Sequence, residues 1–243
     1  MPVNSFDERI AAGYRVLWPE LFEPAVVDAA VDFLAGLAGC GPVLELGIGT
    51  GRVALPLSRR GVEVHGIELS PAMISQLRAQ PGGDTITVTA GDFATTAVRC
   101  TFPLVYLLRN TITNLTTQDE QVACFANVAA HLAPGGVFVI ENYVPHLRRL
   151  PPGESVCPFT VTPNHVGFEE YDFAGQIAIS HHWWLIDGHL ETFTTPHRYV
   201  WPSELDLMAR WAGLRLLERF EDWDGRPFTG ESRNHISVWA NSR

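Results

Sequence analysis

One stretch constrains this chain more than any other: Pro42 to Leu57, reading PVLELGIGTGRVALPL. Val43 to Leu46 is apolar apart from Glu45 and has the pattern of a short buried strand. It runs into Gly47-Ile48-Gly49-Thr50-Gly51, after which Val53 and Leu57 recur at helical spacing. The order is strand, glycine-rich turn, helix. Glycine is needed where the backbone bends sharply and a ligand comes close to it. The helix that follows aims unpaired N–H groups at that turn, which suits an anionic or polar ligand. No Gly-Lys-Ser/Thr follows, so the turn is not a P-loop, and G-x-G-x-G is not the G-x-G-x-x-G of dinucleotide folds. The three glycines by themselves also fit a plain tight turn.

An acidic residue two positions before the first glycine narrows the choice. Glu45 to Gly51 resembles the first motif of class I S-adenosylmethionine (SAM) dependent methyltransferases, (D/E)-x-G-x-G-x-G. The resemblance implies an α/β Rossmann-like fold, a seven-stranded, mostly parallel sheet with an antiparallel last strand. It also implies that Gly47, Gly49 and Gly51 hold the methionine portion of SAM, with Glu45 close by. Later segments keep the family's order. Val62–Ile67 alternates as a second strand, and Glu68 at its tip can accept both ribose hydroxyls. Ser70 and Pro71 then start a helix, as cap and first residue. In the family the residues after the acid flank the adenine, which points to Leu69 and Met73; Met73 equally fits the core. Thr85–Thr89 reads as a third strand, and Gly91-Asp92-Phe93 resembles the family's G-D motif. There Asp92 would meet the adenine amino group and Phe93 pack on the ring, while Asp92 as a simple loop cap also fits.

Phe102 to Leu108 is a continuous apolar run, a strand buried on both faces. Ligands bind outside the carboxyl ends of parallel strands, so Arg109 to Leu115 should face the reaction site. Arg109 is counted with the cofactor residues and Asn114 with the acceptor. The N/D-P-P-Y of many nucleic-acid and protein amino-methyltransferases is absent here, which argues against a base as acceptor. No run of Asp and Asn suits a magnesium ion, and no metal is expected. Thr117 to Glu120 forms a capping box. Its helix carries Val122, Phe125, Ala129 and Leu132 on one face and should stop at Pro134-Gly135-Gly136. Val137–Ile140 is the fifth strand, and Glu141, Asn142 and Tyr143 at its tip either reach the acceptor or only end the strand.

Between Val144 and Trp201 the helix–strand alternation breaks. A proline-rich connection leads into Gly167–Phe173, Gln176–Ile186 and His189–Trp201, with Asp187-Gly188 as a hairpin turn. This is an antiparallel sheet inserted after the fifth strand. By period-2 alternation His189, Glu191, Phe193, His197, Tyr199 and Trp201 share one face. That face either packs on the core or walls the acceptor pocket. His181 and His182 point to opposite faces and cannot both ligate one ion. Pro202–Ala212 reads as a helix, and Leu214–Trp223 and His235–Ala240 as the last strands. Upstream, Glu23-Pro24 starts a helix, and Tyr14, Trp18 and Phe22 either pack on the core or form a lid. The resemblance carries Tyr14 into the site. The organisation expected is a helical cap (1–40), a SAM-binding core (41–143), the inserted sheet on the acceptor side (144–201) and the rest of the core (202–243).

The inserted sheet makes the chain similar to the glycine N-methyltransferase and aminosugar N,N-dimethyltransferase groups. The sugar enzymes carry a histidine in the segment where this chain has Asn114. The resemblance implies a SAM-dependent methyltransferase acting on nitrogen or oxygen of a small molecule and releasing S-adenosylhomocysteine. Tyr14, Asn114, Glu141 and His197 are the candidate catalytic residues. The alternatives are a nicotinamide-binding (NAD(P)) oxidoreductase and a SAM-binding protein without transferase activity. A net charge of −10 argues against a nucleic-acid partner. No apolar run is long enough to span a membrane, and MPVNSFDERI lacks the basic start and apolar stretch of a signal peptide. Four scattered cysteines without a C-x-x-C pair fit reduced thiols in a cytoplasmic protein. A homodimer stays open.

Overall fold

The structure, a computed structural model, describes residues 4–241. Met1 to Val3, which begin the opening stretch read above as lacking a leader, and Ser242 and Arg243 lie outside the described residues. Seven strands make the main sheet: β1 (Val43–Leu46), β2 (Val64–Glu68), β3 (Thr87–Ala90), β4 (Phe102–Leu107), β5 (Leu132–Tyr143), β10 (Leu214–Phe220) and β11 (Asn234–Asn241). Their order is β10-β11-β5-β4-β1-β2-β3, all parallel except β11, which runs antiparallel to both its neighbours. The strand order reverses between β1 and β4, and a crevice opens there at the carboxyl edge.

Both faces of the sheet are covered. Against one lie α2 (Pro24–Ala38), α3 (Ala54–Arg59) and α4 (Pro71–Arg78), through Val31, Leu34, Leu57 and Leu77. Against the other lie α5 (Gln118–His131) and α6 (Pro202–Trp211), where Phe125 and Phe138 pack edge-on and Phe138 stacks on Trp239. The helix starts are those the sequence signals. Thr117 and Glu120 form a reciprocal capping box on α5, and the Ser70 hydroxyl accepts from the Met73 amide at 3.2 Å. Leu205, Met208 and Ala209 turn inward from α6.

A second, four-stranded antiparallel sheet consists of β6 (Val156–Val161), β7 (His165–Asp172), β8 (Ile177–Ile186) and β9 (His189–Arg198). The Asp187-Gly188 turn joins β8 and β9 with positive φ at both residues. Helix α1 (Glu8–Leu17) sits between this sheet and the core. Ile10 and Leu17 pack with Trp184 and Phe193, and Arg9 reaches Glu191 at 2.6 Å and the Thr192 carbonyl at 2.9 Å. At the other end the Arg198 guanidinium is buried, and all its partners are present: Gln121 at 2.5 Å, Gln176 at 3.0 Å and Glu204 at 2.7 Å. It pins the end of β9 to α5 and α6.

Four sequence expectations change. The connection at 144–166 contains a strand, β6; Pro158 is tolerated because β6 is an edge strand. Helix α5 ends at His131 and β5 begins at once with Leu132, so Pro134 to Gly136 lie within β5, with positive φ at Gly135, rather than at a helix stop. A helix could not continue past Pro134, whose ring would meet the carbonyl four residues back. The buried stripe of α5 runs through Gln121, Cys124, Phe125, Val128 and His131, with Val122 and Ala129 only half-buried. Finally β9 stops at Arg198, so Tyr199 and Trp201 leave the shared face; Tyr199 is buried and Trp201 precedes α6. Among the described residues no helix is long and apolar enough to cross a membrane.

Candidate active site

A cavity of about 290 Å³ lies at the carboxyl ends of β1, β2 and β4. Glu45, Gly47, Gly49, Glu68, Leu69, Met73, Asp92, Phe93 and Arg109, all anticipated as cofactor residues, line it together. Gly51 does not. A Cβ there would meet Leu55 and Leu77, so this residue belongs to the turn's packing against α3 and α4. The first two glycines are required by geometry. Gly47 has φ +63° and Gly49 φ +56°, and a Cβ on Gly47 would lie 2.8 Å from the Thr111 methyl.

Two buried carboxyls face this cavity. Glu68 takes the Gly49 amide at 2.8 Å on one oxygen and the Ser70 amide at 2.8 Å on the other. It thereby ties the glycine turn to the start of α4. Burial pushes its pKa up, and the amide donors oppose that. Glu45 accepts from the Tyr106 hydroxyl at 3.0 Å, and burial pushes it to about 8 against the pull of Tyr106 and Arg52. Asp92 serves as a loop cap, accepting the Ala94 amide at 2.9 Å, and lines the cavity as well. Met73 is likewise both buried in the core and a wall residue.

A second cavity, about 370 Å³, adjoins the first. Phe6, Tyr14, Arg109, Thr111, Asn114 and Thr195 line both, so two of the four anticipated catalytic residues, Tyr14 and Asn114, stand at the junction. Burial raises the pKa of the Tyr14 hydroxyl, with Arg52 and Arg109 opposing. His197 lines only the second cavity, with Nδ1 3.4 Å from the Thr113 hydroxyl, and burial pushes it down to about 4. It is neutral near pH 7. Glu141 lines neither cavity. Its carboxylate accepts the Arg109 amide at 2.8 Å and the Trp223 indole N–H at 3.1 Å, while its carbonyl accepts the Asn110 amide at 3.1 Å. It thereby fixes Arg109 and Asn110, which have φ +52° and +60° and would be strained if left unsupported.

Few walls of the second cavity are marked in the sequence, and Trp18 stands there only as a core-packing or lid residue. Trp18 from the segment after α1 packs edge-on against Trp184 and Phe193, and His182 stacks on Trp184. Glu169, Ser180 and Phe159 complete the far side. Alternation gave Phe193 and His197 on β9, and Gly167–Phe173 was read as a strand of the same sheet, but nothing in the sequence marked Glu169, Ser180 or His182 as facing the cavity. Among the described residues no group of three or more His, Cys, Asp or Glu side chains is placed to hold a metal ion.

Comparison with known proteins agrees with this geometry. Residues 43–136 match the family model described as a methyltransferase domain. The fold superimposes on the CcbJ methyltransferase of Streptomyces caelestis with a TM-score of 0.86, 37% identity and 99% of each chain covered. This chain belongs to the class I SAM-dependent methyltransferases. The cypemycin N-terminal methyltransferase of a Streptomyces species is 27% identical over 238 residues, 96% of each chain. SAM-bound CalS10, an amino pentose methyltransferase from Micromonospora echinaspora involved in calicheamicin biosynthesis, is 25% identical with a TM-score of 0.68, covering 91% of this chain and 92% of that one. The methyltransferase uses SAM, and its first cavity fits that cofactor. The glycine cradle is open above Gly49, an acid stands at the tip of β2, and Phe93 offers a ring face beside Asp92. Membership of this family replaces the nicotinamide-binding alternative.

Proposed function

We propose that this methyltransferase acts on the amine nitrogen of a small molecule held in the second cavity. The carrying observation is the junction itself, six residues common to two chambers, with no strong base among them. SAM supplies a methyl group already activated on a sulfonium. What remains for the protein is to align acceptor and methyl and to exclude water. Gly47 and Gly49 would cradle the methionine portion, Glu45 would face its charge, Glu68 would take the ribose hydroxyls, and Asp92 and Phe93 would hold the adenine. Tyr14, Thr111 and Asn114 set the line of approach, and Phe6, Tyr14 and Trp18 shut the chamber from solvent.

His197, held near 4, is a poor base for a hydroxyl acceptor. A neutral amine needs no base, and an apolar chamber favours the neutral form of an amine. His197 then accepts an N–H of the amine and orients its lone pair. The cypemycin enzyme is named as an N-terminal methyltransferase, and the N-terminus of a peptide carries an amine. The test is incubation with SAM and matched amines and alcohols on ring scaffolds, followed by mass spectrometry. Methylated amines with S-adenosylhomocysteine release are expected. Methylation of the alcohols alone would sink the nitrogen assignment.

A further inference from the structure

The second cavity has a polar end and an aromatic middle, and the polar end is far from the junction. The register of the small sheet shows why. Glu169 pairs with Ser180, and Ser180 with Thr195, so these three side chains form one row across β7, β8 and β9 on the face that lines the cavity. Thr195 also borders the cofactor cavity. Glu169 lies two strands farther out, about 10 Å away at the usual spacing between strands. The adjacent row is Gly167, His182 and Phe193. Gly167 leaves room for the Phe159 ring, which a Cβ would meet at 2.3 Å, and Phe159, His182 and Phe193 together make the apolar middle.

The Glu169 carboxyl has no cation beside it among the described residues. Among the described residues its partners are two neutral hydroxyls, Tyr171 and Ser180. Beside it Tyr143 presents a buried hydroxyl that has no hydrogen-bond partner among the described residues, although Tyr143 lines the same cavity. A buried carboxylate and an unpartnered hydroxyl in one wall are groups awaiting a donor. Resting on the reading of this cavity as the acceptor chamber, we propose that Glu169, Ser180 and Tyr143 form a second recognition point for a hydroxyl or ammonium donor on the acceptor. That donor sits at the end remote from the methylated nitrogen. The acceptor class is thus an amine on a ring-containing or otherwise apolar body with a hydrogen-bond donor at its far end.

Tyramine and phenethylamine test this, since they differ only by the distal hydroxyl. Each is titrated calorimetrically into the protein loaded with S-adenosylhomocysteine. Tyramine should bind at least about tenfold more tightly, as a charge-assisted hydrogen bond gives. Glu169→Leu should reduce that advantage to less than about twofold, and Glu169→Gln, which keeps an accepting oxygen, should retain part of it. Tyr143→Phe should also shrink it, which covers the case of a Glu169→Leu protein that fails to fold. Affinity for S-adenosylhomocysteine should stay the same in every variant. Equal binding of the two amines, binding of neither, or an advantage that survives Glu169→Leu would each overturn the proposal. If tyramine binds through Glu169 while no amine is ever methylated, the nitrogen assignment falls and this subsite stands.

Discussion

The two cavities of this molecule are built in different ways. The cofactor cavity is made by the ends of consecutive strands, and much of its chemistry is main chain: glycine amides, the N-terminus of α4, and one acid, Glu68, tied to both. Glu45 to Phe93 supply most of it from fewer than fifty consecutive residues. The second cavity is made of side chains from segments that meet only in the folded protein: Tyr14 to Leu21, Arg109 to Asn114, and all four strands of the small sheet. A backbone-built site demands one ligand shape, and a side-chain-built site can be re-lined without disturbing the fold. The loop Arg109–Asn114 belongs to both.

Substitutions that separate the two halves test this contrast. The largest effect is expected from Gly47→Val. The new side chain meets Thr111 and a φ that costs about 1–3 kcal/mol, so SAM affinity should fall by roughly a hundredfold or more while acceptor-chamber variants leave it alone. Calorimetry with SAM, alongside circular dichroism to show a folded protein, checks it. Glu68→Ala removes two charge-assisted hydrogen bonds and should weaken SAM by about 10- to 100-fold; parent-like affinity would remove the carboxylate from the cofactor site. Tyr14→Phe keeps the ring against Trp18 and Phe22 but deletes the hydroxyl at the junction. Turnover should drop by about tenfold with SAM affinity intact, and steady-state kinetics distinguish this from a binding defect.

A pH effect should follow from Glu45. Its folded pKa of about 8 exceeds the ordinary 4.5, so the folded protein keeps a proton that the unfolded chain has released. That contribution to stability is complete below about 4.5 and is lost as pH rises through about 8. A cationic ligand prefers the ionised carboxyl. SAM affinity should therefore rise severalfold between pH 6.5 and 8, and Glu45→Gln should flatten the rise. The smallest effect is expected from Glu141→Gln, which keeps one accepting oxygen under the Arg109–Asn110 loop. A loss of about two- to fivefold in kcat/KM, felt by SAM and acceptor together, would show that the loop serves both cavities; an effect on one alone would break that link.

Glu141 also shows how far the sequence reading reached. Its place at the tip of a parallel strand put it in the right neighbourhood, but only the folded loop reveals that its oxygens are taken by Arg109 and Trp223. Gly51 is a similar case, since its motif position was clear and its distance from the cavity was not. β6 was hidden by Pro158, which disqualifies a central strand and is harmless on an edge.

The sequence alone determined the sheet, the glycine turn and the acids at its strand ends. Each depends on residues close together in the chain, whose spacing fixes strand, turn and helix directly. Tertiary structure decided that Trp18 meets Trp184 and Phe193, that His197 meets Thr113, and that Glu141 supports Arg109. Those pairings join residues that are distant in the chain, and packing selects them only once both surfaces exist.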